Sequence, residues 1–407
     1  MKINTTLALN ALESGEGILR LAPAWVPRSF QAPGGRLKLA KNDLYALGAK
    51  RGGIDERWLA STIGADNGPG TPDDEGLSYV VLENGGRTKK LLFKDLIELM
   101  GDRVLGSALM NKYQGWPVLA KLFDNLGPLP HHLHQTDESA ARVGKYGKPE
   151  AYYFPVQLNS LENNFPYSFL GLDPSTTQND IKNCLANWYG GDNGILNYSQ
   201  AYKLKPGTGW DIPAGVLHAP GSLVTYEVQR SSDVFSMFQS VVDGRFVAWD
   251  MVIKDVPAEF HHDLDYLVSL IDWQKNVDPF FKKHHFLIPL PVRKLDDMLS
   301  QGYTEMWIIY GSEYFSGQEL TVFPGQSIRI HDEAPYGLIV IQGHGTIGKL
   351  SVEAPTLIRF GDLTTDELFV TAAAAGDVKI VNSSHSENLV MLKHFGPGKS
   401  GVPGLTD

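Results

Sequence analysis

Pro130–His134 reads PHHLH, and within it His132 and His134 stand two residues apart. On a strand that spacing sends both imidazoles to the same face. Downstream, Gly147-Lys148-Pro-Glu150 runs into the apolar stretch AYYF, and Trp210–Pro220 (WDIPAGVLHAP) places His218 just after a Pro-Ala-Gly turn. Two histidines, a carboxylate and a distant third histidine form the donor set of a mononuclear metal site in a small β-barrel. Three imidazoles with one carboxylate suit Zn²⁺, and also Mn²⁺ or Fe²⁺. His131 falls on the opposite face of the same strand and reads as structural. The adjacent pairs His261/His262 and His284/His285 point opposite ways and read as solvated surface.

The elements that must position these groups are mostly strands. The 407 residues include 42 Gly and 24 Pro, which punctuate short segments rich in Val, Ile, Leu, Phe and Tyr. This is how an all-β sandwich or barrel reads. Expected strands are Ala151–Leu158, Leu223–Val228, Glu305–Tyr310, Gly337–Gln342 and Asp377–Val381. Helices are a minority. One contains Lys94–Met100. A second opens at Thr177-Gln-Asn-Asp180, which resembles a capping box, and carries Ile181, Cys184, Leu185 and Trp188 at helical spacing. A third carries Leu264, Leu267, Val268 and Ile271.

Two β-rich blocks with similar punctuation suggest a mainly β protein with two barrel domains and a few helices. We expect residues 1–89 to complete the first barrel and 90–250 to form the metal-binding barrel. Residues 251–284 form a helical connection, and 285–407 a second barrel. There His331 stands without an HxH partner, followed by Asp332 and Glu333, so a structural role without metal is expected.

Composition narrows the partners. With 36 Lys+Arg against 46 Asp+Glu the net charge is −10, which argues against nucleic acid or an anionic membrane as the main partner. The lone Cys184 cannot form an intramolecular disulfide. The N-terminus is a poor signal peptide and no apolar run approaches the ~20 residues of a membrane span. A soluble, cytoplasmic protein acting on a small molecule is the expectation.

Taken together and in order, the motifs resemble those of the type I phosphomannose isomerases (mannose-6-phosphate isomerases), which are two-cupin enzymes. Glu56–Ser61 (ERWLAS) resembles an early family segment. Trp116–Asp124 (WPVLAKLFD) is similar to the strand that precedes the first ligands and carries a family lysine, here Lys121. His132-Leu-His134 is similar to the family's Q-x-H pair, Gly147–Glu150 to GKTE, and Ile212–Ala219 to the third ligand turn. Glu227 and Ser231-Ser232-Asp233 resemble the acidic residue and SSD that follow. The resemblance covers about residues 50–245 well and the remainder loosely. Two departures stand out: His132 replaces the family's glutamine, and Met237 occupies the place of a family arginine.

The resemblance implies an aldose–ketose isomerase in which a metal on His132, His134, Glu150 and His218 polarises the sugar oxygens. It implies Lys148 as proton carrier with Glu227 as the competing base, Lys121 as a holder of substrate hydroxyls, and Asp233 among the catalytic groups. A thioether at Met237 cannot pair with phosphate, so Arg230 or Arg245 is expected to replace the arginine as substrate binder. Three readings stay open: an isomerase of mannose 6-phosphate, an isomerase of a free aldose such as lyxose or mannose, and a non-catalytic sugar-binding protein.

Overall fold

The computed structural model describes residues 5–84 and 87–405. The ends of segments 1–89 and 285–407 therefore lie partly outside the described residues. Antiparallel strands dominate. One half is built from a seven-stranded and a five-stranded sheet, the other from a nine-stranded and a four-stranded sheet. The reason is visible in a single strand. In Val118–Phe123 every residue is buried, yet its two faces do different work. Val118, Ala120 and Leu122 enter a core shared with Ile339, Phe369 and Leu392 of the other half. Lys121 and Phe123 point the other way, into the first barrel. Tyr226 and Val228 repeat the pattern on Thr225–Arg230.

Residues 1–89, expected to complete the first barrel, divide between the two. Ala24–Arg28 and Gly53–Leu59 close the seven-stranded sheet, with Trp58 opposite Lys121. Ile18–Ala22, however, pairs with Glu367–Val370 of the second half and leads on to Tyr79–Asn84 and Arg87–Leu92. Short helices follow residue 258, after which Phe286–Leu287 pairs with Gly209–Ile212 and Leu290–Pro291 with Tyr303–Ile309, so the chain crosses between halves there.

The expected strands appear shifted by one or two residues, except that Ala151–Leu158 stops early. Glu150–Tyr153 is strand and Val156–Leu158 a 3₁₀ turn. Pro155 between them has no N–H to give the ladder. The capping box forms as read: Thr177 accepts from the Asp180 amide, the Asp180 carboxylate accepts from the Thr177 amide, and Ile181, Cys184 and Leu185 are buried. Of the expected surface histidines, His285 departs. Its ring is largely buried, with Nδ1 3.1 Å from Asp211 Oδ2.

The halves are also tied by charge. Arg57 donates to Asp366 at 2.7 and 2.8 Å and to Glu367 at 3.1 Å, with both guanidinium and carboxylates buried. Glu367 still titrates high, at about 7, because burial outweighs Arg57 and the Ala60 amide. Replacing Arg57 by Leu leaves two buried carboxylates unpaired. We expect a loss of about 3–5 kcal/mol in guanidinium unfolding; a loss below about 1 kcal/mol would show that the halves do not depend on this contact.

Candidate metal centre and pocket

The three histidines arrive from adjacent strands of the five-stranded sheet. His132 lies in direct register with His218, His134 is two residues further on, and the ring centroids stand 4.2–5.1 Å apart. Each Nδ1 meets a backbone carbonyl: His132 that of Pro130 at 2.7 Å, His134 that of Val234 at 2.7 Å, and His218 that of Val216 at 2.9 Å. A carbonyl only accepts, so each Nδ1 carries the proton and each Nε2 keeps its lone pair. Burial pushes His132 well below its ordinary range and His134 down to about 4, so both rings are neutral at pH 7. Among the described residues these three are the one group of His, Cys, Asp and Glu clustered to hold a metal ion.

Glu150 comes from the facing sheet. Its Oε2 lies 2.8 Å from His134 Nε2 and its Oε1 3.2 Å from His218 Nε2. Lone pairs facing carboxylate oxygens at such distances repel unless a cation stands between them. His218 Nε2 has no hydrogen-bond partner at all. Burial alone would raise the Glu150 carboxyl, but it falls well below the usual carboxylate range when positive charge stands on its His134 side and on Lys148. Three Nε2 atoms and one carboxylate are a donor set for a divalent ion, with the Nδ1 carbonyls fixing ring tautomer and orientation.

Beside this centre lies a pocket lined by His132, His134, Lys148, Glu150, Tyr152, Glu227, Lys121, Glu56 and Gln31, with Phe123, Leu129 and Pro220 as its apolar wall. Its charges alternate along successive strands. Lys148 Nζ is 3.1 Å from His134 Nε2, 3.3 Å from Glu150 and 3.8 Å from Glu227. Lys121 Nζ is 3.2 Å from Glu227 and 3.7 Å from Glu56. Arg28 then grips Glu56 with two hydrogen bonds of 3.0 and 3.1 Å and lies 3.7 Å from Asp233. Glu227 is the exception in its titration: burial and the neighbouring Glu150 push it up to about 8 against the pull of both lysines. Its Oε1 accepts no hydrogen bond.

The structure thus brings His132, His134, Glu150, His218, Lys148, Glu227 and Lys121 together and sets Asp233 behind them, against Arg28. It does not bring Arg230 or Arg245 to this pocket. Arg230 is paired with Asp137 at 2.5 Å between the rings of Tyr146 and Tyr314, and it lines a separate cavity with Lys94 and Trp116. Arg245 lies in a two-residue strand beside Asp243. Met237 is buried in a core cluster with Leu133, Leu172 and Phe238. In the second half, His331 is exposed, with Nδ1 2.6 Å from the Gly376 carbonyl. Asp332 there is held by Lys393 and Lys399, each at 2.8 Å.

Sequence reasoning missed Arg28, Glu56 and Gln31 as site residues. A signal was present for Glu56: it belongs to a seven-residue strand, GIDERWL, whose three charged side chains are all buried. Tyr152 was equally open to reading, since it follows Glu150 by two residues and donates its hydroxyl to that carboxylate.

No protein-family model matches the chain, and no curated protein sequence matches it. Its fold is one shared by solved sugar-phosphate isomerases. The mannose 6-phosphate isomerase from Bacillus subtilis aligns with a TM-score of 0.59 at 17% identity, over 93% of this chain and 99% of that one. A single-residue variant of phosphomannose isomerase from Salmonella typhimurium aligns with a TM-score of 0.59 at 14% identity, over 94% and 100%. A zinc-bound mannose 6-phosphate isomerase gives 0.59 at 14% identity over the same shares.

The donor set predicts one divalent ion per chain. At an ion concentration of 100 times the dissociation constant, binding adds about 2.7 kcal/mol and raises the melting temperature. Elemental analysis of wild type should give a stoichiometric ion, and His134→Ala/His218→Ala should lose both the ion and the thermal shift. Equal metal content in the two proteins would contradict the assignment.

Proposed function

We propose that this chain is a metal-dependent aldose–ketose isomerase, with zinc on His132, His134, Glu150 and His218. The observation that carries the reading is the placing of Glu227, a buried carboxylate with a free oxygen, between two lysines and beside that donor set. The zinc-bound neighbour of the same fold supports the metal, and the neighbours' activity supports the reaction class. When bound, the ion supplies a Lewis acid that polarises the sugar oxygens.

The residues do the rest. Isomerisation removes the proton from C2 of the open-chain aldose, leaves an enediolate, and returns a proton to C1. The hydroxyl proton shifts from O2 to O1, so atoms balance without a co-reactant. Glu227 is the group we assign to the carbon proton, because it lines the pocket beside the donor set with its Oε1 unpartnered. Lys148, beside Glu150 and Glu227, acts as the cation that holds both carboxylates in place, and its remaining N–H donates to the developing oxyanion. Lys121 fixes the other Glu227 oxygen. Tyr152 and Phe123 close the wall and exclude water.

The expected outcome for Glu227→Gln is a kcat lower by about 10²–10⁴-fold, with metal content near wild type. Ketose formation, followed by a coupled assay on the zinc-loaded protein, measures it. A variant with wild-type kcat would remove Glu227 from the chemistry, and a wild-type protein that converts no aldose would overturn the reading itself.

A further inference from the structure

The pocket has a direction. Glu150, Glu227, Lys121 and Glu56 lie on four successive strands of one sheet, and the register pairs Glu227 with Lys121 and Trp58 with Lys121. At roughly 4.8 Å per strand the row spans about 14 Å, long enough for an open-chain hexose lying across it. The reacting end belongs at the histidines and Glu227. The strand Ala24–Arg28 borders the row at its Glu56 end, and Gln31, three residues on, lines the pocket.

Gln31 is about nineteen-twentieths buried, at 5% exposure. Neither its Oε1 nor its Nε2 has a hydrogen-bond partner. A buried primary amide left unpaired is costly, and a hydroxyl, which donates and accepts, satisfies both atoms at once. A phosphate monoester has only acceptors to offer and leaves Oε1 unpaired. It also asks for cations, and the cations at this end are spent. Arg28 is committed to Glu56, to Asn67 at 2.9 Å and to Asp233. Arg36 donates to Asp124 at 2.6 and 2.9 Å, to the Leu161 carbonyl at 2.5 Å, and to the Ser222 carbonyl. Lys121 stands between two carboxylates. Arg230 and Arg245 line no part of this pocket.

We infer that the substrate is an unphosphorylated aldose, and that Gln31 determines this by hydrogen-bonding a terminal hydroxyl where a phosphosugar carries its phosphate. The inference rests on the isomerase reading for the identity of the reaction, but its own content is the substrate's charge. A site built to pair a hydroxyl rejects an analogue that cannot meet its polar groups, because those groups then stay buried and unpaired.

The experiment is a paired assay of zinc-loaded protein with mannose and mannose 6-phosphate, each also titrated calorimetrically. We expect kcat/KM for mannose to exceed that for mannose 6-phosphate by at least tenfold. Gln31→Leu should lower kcat/KM for mannose by about ten- to a hundredfold through KM, with metal content unchanged. Gln31→Asn or Gln31→Glu should recover part of the loss, since each restores a polar group. A preference for mannose 6-phosphate, or a Gln31→Leu variant that treats mannose as wild type does, would overturn the inference. Turnover of neither sugar would overturn the isomerase reading alone; calorimetry then decides the substrate's charge, with binding of mannose upholding it and tighter binding of mannose 6-phosphate ending it.

Discussion

A single row of buried, alternating charge organises the first barrel: Asp233, Arg28, Glu56, Lys121, Glu227, Lys148 and Glu150, ending on His134. Taking any one of these groups out of water is expensive, and those inside the row are tolerable because the groups that flank them carry the opposite sign. The row therefore acts as a unit. It also fixes the fold, because its members come from six strands or their flanks. A slip of one residue in any strand would turn that strand's charge into the apolar layer between the halves. The arrangement that stabilises the sheet register is the same one that leaves Glu227 a high-titrating carboxyl beside three metal-ready imidazoles.

The second half shows the same device with a different end. Lys393 sits on Leu389–Phe395, whose register neighbour in the core, Leu392, belongs to the layer shared with the first barrel. Its ammonium is fully buried and held by Glu305 at 2.5 Å and Asp332 at 2.8 Å. It points into that barrel as Lys121 points into the other. Here the lysine and two carboxylates satisfy one another and fill the interior, with the rings of Tyr336 and Phe395 at 5.0 and 5.2 Å. The two halves thus use one strand pattern, apolar outward and charged inward, around an open pocket in one case and for packing in the other.

How much of this was legible follows from what local pattern encodes. The clustering of the candidate donors was readable because alternation along a strand fixes face: His132 with His134, and Lys148 with Glu150, share one by spacing alone. The capping box at Thr177 was readable for the same local reason. Which strands become neighbours is not written in periodicity, so the pairing of Ile18–Ala22 with the second half and the arrival of Arg28, Gln31 and Glu56 beside Lys121 were hidden. Arg230 illustrates the converse. Its nearness in sequence to Met237 suggested the pocket, but it lies three residues after Glu227 on the same strand, so it faces the other way, against Tyr146 and Asp137.

The central claim is that a carboxylate held by two lysines moves a proton between adjacent carbons of a sugar bound at the histidine centre. Running the reaction in D₂O and reading the ketose by NMR tests it most directly. The account predicts deuterium from solvent at C1 of the product, because the carbon proton passes through Glu227 and exchanges there. A ketose formed with no solvent deuterium at C1, and at an unchanged rate in Glu227→Gln, would mean that hydrogen crosses directly from C2 and would contradict the role given to Glu227.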